Sequence, residues 1–137
     1  MTAVDTNFLV RFLVDDDPKQ SKTVYNILKE IEEQKKYLHV PILVVLELIW
    51  VLDSAYGISR KDILNSLDQL LLMPIFTFEN LDAIQKFIQD SISSNYDLSD
   101  LLIAHTAQEA GCDSILTFDR KASKHPLFQL LKGTKKA

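Results

Sequence analysis

Short apolar strands alternate with longer amphipathic helices along this chain. That pattern predicts an α/β fold built on a parallel sheet with helices on both faces. Three observations carry the expectation. Brief apolar runs recur at residues 2–4, 37–40, 75–78 and 114–117. The stretches between them show helical spacing of apolar side chains, as in Val24, Ile27, Leu28 and Ile31. Turn residues such as Asp17-Pro18, Gly57 and Gly111 punctuate the alternation.

Taken in order, residues 2–4 form an opening strand. Residues 7–14 read as a helix with Phe8, Leu9, Phe12 and Leu13 on one side. The acidic turn Asp15-Asp16-Asp17, followed by Pro18, breaks it. Residues 19–35 form an amphipathic helix with a charged outer face, and 37–40 a second strand. Pro41 opens a strongly apolar helix running to about residue 56 and closed by Gly57, the Pro-first, Gly-last asymmetry of helices. Ser59 with Asp62 resembles a capping box, and Ile63, Leu64, Leu67, Leu70 and Leu71 give the next helix its buried stripe. A third strand at 75–78 precedes a helix at 81–92, with Ile84, Phe87 and Ile88 inward. Residues 97–110 form the next helix, with Asp97 as N-cap and Gly111 just beyond its end. A fourth strand at 114–117 leads into Phe118-Asp119-Arg120. A short helix and a fifth strand near 127–130 complete the fold. Residues 132–137 are polar and are expected to form a mobile tail.

A chain of 137 residues is read as one domain, 1–137, large enough to bury a core. Its 47% hydrophobic and 25% charged residues fit a soluble globular protein. The lone Cys112 excludes an internal disulfide and a cysteine-based zinc cluster. The first strand begins with no basic segment before it, so no signal peptide is expected. The longest apolar run, 40–52, is too short to span a bilayer and contains Glu47. A cytoplasmic location without membrane contact follows as an expectation. A net charge of −4 argues against a general basic nucleic-acid binder, yet does not exclude a nucleic-acid enzyme that recruits divalent cations.

In open α/β sheets, ligands bind beyond the carboxyl ends of strands, which draws attention to the residue after each strand. Asp5 follows the first strand and Asp119 the fourth. Either alone reads first as a helix cap. Glu47 is the one charged residue between Pro41 and Leu52. The apolar surroundings predict a mostly buried helix, in which that carboxylate needs a partner; an exposed strip carrying Glu47 is the other reading. Asp97 and Asp100 open an apolar helix, the first as a cap and the second in the first turn. Spacing alone leaves open whether the start of that helix meets Asp119. Carboxylates sharing one pocket repel unless a cation joins them, and oxygen-only ligands suit Mg²⁺ or Mn²⁺ better than zinc.

The segments AVDTN, LELIWVL, DLSDLLIAHTA and SILTFDRKASK, in this order and spacing, resemble those of PIN-domain ribonucleases. Within that family the likeness is to VapC-like toxins of toxin–antitoxin modules, and it covers essentially the whole chain. The resemblance implies a three-layer α/β/α sandwich around a mostly parallel sheet of four to five strands, with strand one central and strand four beside it. It implies that Asp5, Glu47, Asp100 and Asp119 form an acidic quartet binding Mg²⁺ or Mn²⁺. Thr6, Asn7, Asp97 and Thr117 would orient ligands or water, Asp97 chiefly as an N-cap. The implied activity is hydrolysis of RNA by metal-activated water, leaving a 5′-phosphate and a 3′-hydroxyl. The implied partners are the RNA substrate, a small antitoxin protein and a second copy in a homodimer. Arg11, Arg120, Lys121 and Lys124 are candidates for phosphate contacts.

Other features are set aside. The Asp15–Asp17 run lacks the spacing of a calcium loop. His39, His105 and His125 show no paired ligand spacing, and His105 reads as packed or surface. Trp50, Phe8 and Phe12 read as core or dimer-contact residues. A phosphoacceptor signalling domain would need an aspartate after a middle strand, where Phe76-Thr77-Phe78-Glu79 has none. A haloacid-dehalogenase-like phosphatase would need Asp-x-Asp after strand one, where Asn7 stands instead. A catalytically inactive PIN scaffold that binds RNA or protein is the remaining alternative, and the intact quartet counts against it.

Overall fold

In the computed structural model, which describes residues 1–133, the backbone divides into two compact units, Met1–Glu79 and a second beginning at Asn80. The proposed tail falls partly outside this range. Lys132 and Gly133 carry no regular structure, and 134–137 lie outside the described residues.

The first unit contains β1 (Thr2–Ala3), α1 (Thr6–Leu13), α2 (Pro18–Glu33), β2 (Leu38–Val40), α3 (Ile42–Ser54), α4 (Arg60–Leu72) and β3 (Phe76–Phe78). The three strands form one parallel sheet in the order β1-β2-β3. Parallel neighbours need crossovers, and the helix pairs α1–α2 and α3–α4 supply them. Leu38 stands opposite both Thr2 and Phe76. His39 faces Thr77, its Nδ1 lying 3.0 Å from the threonine hydroxyl. Leu9, Val10, Val40, Val45, Leu48 and Leu52 are fully buried and fill the core of this unit. Helix α1 packs on α2 and α3, and α3 on α4.

Helix α3, expected to be mostly buried, has one exposed strip. Leu43, Glu47 and Trp50, spaced by four and three residues, make an outward stripe, while Val45, Leu48, Ile49 and Leu52 face the core. Trp50, expected in the core or at a contact, is exposed. Glu47 therefore needs no buried partner, because its carboxylate is already hydrated. An apolar sequence does not distinguish a helix sunk in the core from one that shows leucine and tryptophan to solvent. The start of α3 has no side-chain cap of its own; Glu79, just past β3, accepts the Ile42 N–H at 2.8 Å.

The second unit contains α5 (Leu81–Ile92), α6 (Leu98–Glu109), β4 (Ile115–Thr117), a 3₁₀ turn (Ala122–Lys124) and β5 (Phe128–Leu130). Helix α5 packs along α6, with Ala83, Ile84, Phe87 and Ile88 buried on the first and Leu98, Leu101, Leu102 and Ala104 on the second. Gly111 ends α6 at φ +93°, a conformation strained for any L side chain. The N–H groups of Gly111 and Cys112 close the helix onto the carbonyls of Gln108 and Ala107. Strands β4 and β5 run parallel, Ile115 opposite Phe128 and Thr117 opposite Leu130.

Within each unit the strands pair in parallel, as expected, in the ladders β1-β2-β3 and β4-β5. Strand one, expected to be central, stands at the end of its own ladder, and strand four belongs to the second unit. Strands of two or three residues offer only one or two ladder bonds per side, so ladder chemistry specifies pairing weakly. No helix among the described residues is long and apolar enough to cross a membrane.

Candidate active site

In the second unit, local turn chemistry fixes three acids, Asp97, Asp100 and Asp119. Asp97 is the N-cap of α6, and its carboxylate accepts the N–H of Asp100 at 3.0 Å. Asp100 sits one turn in and is half-buried. Asp119 lies just past β4. Its N–H donates to Thr117 Oγ1 at 3.0 Å, and its Oδ1 accepts from the N–H groups of Lys121 (2.8 Å) and Ala122 (3.2 Å). Strand, hydroxyl and 3₁₀ turn together fix where this carboxylate stands.

The electrostatics follow from the geometry. Burial pushes the Asp100 carboxyl up, and the charges of Asp97 and Asp119 push it further. The charge of Asp119 thus reaches the start of α6, which spacing had left open. Asp97 and Asp100 border a cavity of about 910 Å³, with Lys121 and Lys124 also on its wall. A divalent cation would relieve the crowding at Asp100, and the donors are hard carboxylate oxygens, so this group fits Mg²⁺ or Mn²⁺.

The other expected site residues belong to the first unit. Asp5 follows β1 and caps α1, accepting the Phe8 N–H at 3.0 Å while remaining exposed. Thr6 is buried at the first helical position and Asn7 is exposed. Glu47 is exposed on α3. Arg11, expected at a phosphate, donates to Gln20 (2.6 Å), Asp16 (3.0 Å) and the Tyr56 hydroxyl (3.2 Å). The acidic turn explains this, since Asp17 caps α2 and Asp16 takes both Arg11 and the Tyr56 O–H. Arg120 is exposed.

The structure also assembles a group that spacing did not reveal. Asp90 Oδ2 lies 2.8 Å from His105 Nε2 and 3.1 Å from His125 Nε2. Burial pushes the Asp90 carboxyl up, but hydrogen bonding and electrostatic attraction to His105 and His125 together outweigh it and hold the group below its ordinary value. These residues come from α5, α6 and the loop before β5, so no local spacing could have signalled them. Asp90 and His125 line the same cavity as Asp100.

Residues 2–126 match the family described as PIN domain, and the chain belongs to that family. It is 26% identical over 124 residues to a VapC ribonuclease of Aquifex aeolicus (strain VF5), a match covering 90% of this chain and 91% of that protein.

Proposed function

We propose that this protein is a Mg²⁺- or Mn²⁺-dependent endoribonuclease, the toxin of a toxin–antitoxin pair, working in the cytoplasm as a single PIN domain spanning 1–137. The observation that carries the reading is the crowding of Asp97 and Asp119 around Asp100, in a chain matched to the PIN family over 2–126. Such a group disfavours its own ionised state and gains by sharing a cation. Similarity to a VapC ribonuclease supports RNA as the substrate.

In this reading Asp5, Glu47, Asp100 and Asp119 hold the ion. Thr6, Asn7, Asp97 and Thr117 orient them, Thr117 through its bond to the Asp119 N–H. A bound divalent ion supplies charge to the scissile phosphate and makes water more acidic. The protein's own groups do the rest. Asp119 is held by two backbone N–H groups and so presents a fixed carboxylate. Lys121 and Lys124, on the cavity wall beside Asp100, attract flanking phosphates, with Arg120 exposed nearby in sequence. In hydrolysis the oxygen of water bonds to phosphorus as the P–O3′ bond breaks and O3′ takes up a proton, leaving a 5′-phosphate and a 3′-hydroxyl. A small antitoxin protein and a second copy are the proposed protein partners, and the exposed Leu43 and Trp50 of α3 supply apolar surface for such contacts.

Incubation with total RNA tests the proposal. Wild type is expected to release fragments bearing 5′-phosphates in Mg²⁺ and none in EDTA, and Asp5→Ala is expected to release none in either. Intact RNA under all conditions would favour a non-cutting scaffold, and cleavage in EDTA would remove the metal from the account.

A further inference from the structure

The cluster of Asp90, His105 and His125 has the ligand types of a transition-metal site, with its three ligand atoms within 4.8 Å of one another. The outer ring nitrogens argue against that use. A histidine that binds metal through Nε2 carries its proton on Nδ1 and donates it to an acceptor. Here the Leu127 N–H donates to His125 Nδ1 at 3.1 Å, so that nitrogen bears no proton. The His125 proton sits on Nε2 and is given to Asp90. His105 Nδ1 is buried without a hydrogen-bond partner among the described residues. A proton there would be a stranded donor, so it too sits on Nε2 and goes to Asp90. One carboxylate oxygen thus accepts from two imidazole Nε2–H groups, on side chains only 12% and 13% exposed.

The consequences reach the acids. His105 lies on α6, five residues beyond Asp100. His125 holds Leu127 through Nδ1, and the Leu127 carbonyl accepts the Ile115 N–H at 2.8 Å, at the start of the strand that delivers Asp119. A second tie runs parallel: the Tyr96 hydroxyl donates to the Lys124 carbonyl at 2.9 Å, and its ring packs edge-on against His125.

We infer that Asp90 is a positioning residue: by accepting from both imidazoles, it ties the helix bearing Asp100 to the segment bearing Asp119, Lys121 and Lys124. This rests on the nuclease reading for its consequence, though not for its geometry. Ring-nitrogen NMR of wild type is expected to report the Nε2-protonated form for both His105 and His125. In Asp90→Ala that preference should be lost, and the Mg²⁺ concentration for half-maximal RNA cleavage should rise roughly tenfold, the scale seen when ligand-supporting groups are removed. The rate at saturating Mg²⁺ should change little. Asp90→Asn, whose amide oxygen still accepts, should recover most of the Mg²⁺ affinity, which a purely structural role would not predict. It also carries the test if the alanine variant fails to fold.

Nδ1-protonated rings in wild type would overturn the inference, as would stoichiometric Zn²⁺ shifting both ring signals. An unchanged Mg²⁺ requirement in folded Asp90→Ala would overturn it too. If wild type does not cut RNA, the nuclease reading falls, while the ring signals still decide whether the clamp exists.

Discussion

Asp100→Asn is expected to yield a folded protein whose Mg²⁺-dependent RNA cleavage is reduced by at least about 100-fold. Removing groups that merely support metal ligands costs ~10–100-fold, so removing a ligand costs no less. The same change should raise the melting temperature of the metal-free protein at neutral pH. Folding raises the Asp100 carboxyl, by burial and by the charges of Asp97 and Asp119. A raised acid favours folding while it is neutral. That contribution is present below its unfolded value, about 3.9, and is lost as pH rises through the folded value. At pH 7 the wild type bears the full penalty and the asparagine variant none, so the gain should be seen at pH 7 and vanish near pH 3. A variant that cuts RNA within a fewfold of wild type would remove Asp100 from the ligand set. An unchanged melting temperature at pH 7 would remove the crowding.

Phe87→Ala should be the most destabilising single change in the second unit, costing about 3–5 kcal/mol. Phe87 heads the largest fully buried side chains and lies on the face of α5 that packs against α6. Its removal forfeits both transfer energy and packing around the cavity it leaves. Small domains carry only ~5–15 kcal/mol in total, so the loss should be visible as a large fall in urea midpoint. Phe87→Leu, closer in volume, should cost far less. A loss below ~1 kcal/mol for the alanine variant would mean that the α5–α6 contact adds little to stability.

The sequence made some elements plain and hid others, for physical reasons. Helix α5 was legible at both ends, because its apolar positions recur at helical spacing over 81–92 and turn residues flank it. Asp97 and Asp100 were legible as cap and first-turn acid because N-capping is local chemistry. The exposed side of α3 was not legible, since Leu43 and Trp50 carry the composition of a core while facing solvent. Ladder order was not legible either, because strands this short leave pairing to longer-range packing. The Asp90, His105 and His125 group was invisible for a different reason: its members share no element, and their contact is a property of the tertiary fold alone.

The central claim, that distant carboxylates act together on one divalent ion, meets its sharpest test at Glu47, which lies exposed on α3 and has the least local reason to matter for RNA cleavage. The deciding measurement is the rate of RNA cleavage by Glu47→Gln across a Mg²⁺ titration, beside wild type. Loss of cleavage in a folded variant, at every Mg²⁺ concentration or until the ion is in large excess, is the predicted result. Wild-type rates with an unshifted Mg²⁺ requirement would contradict it.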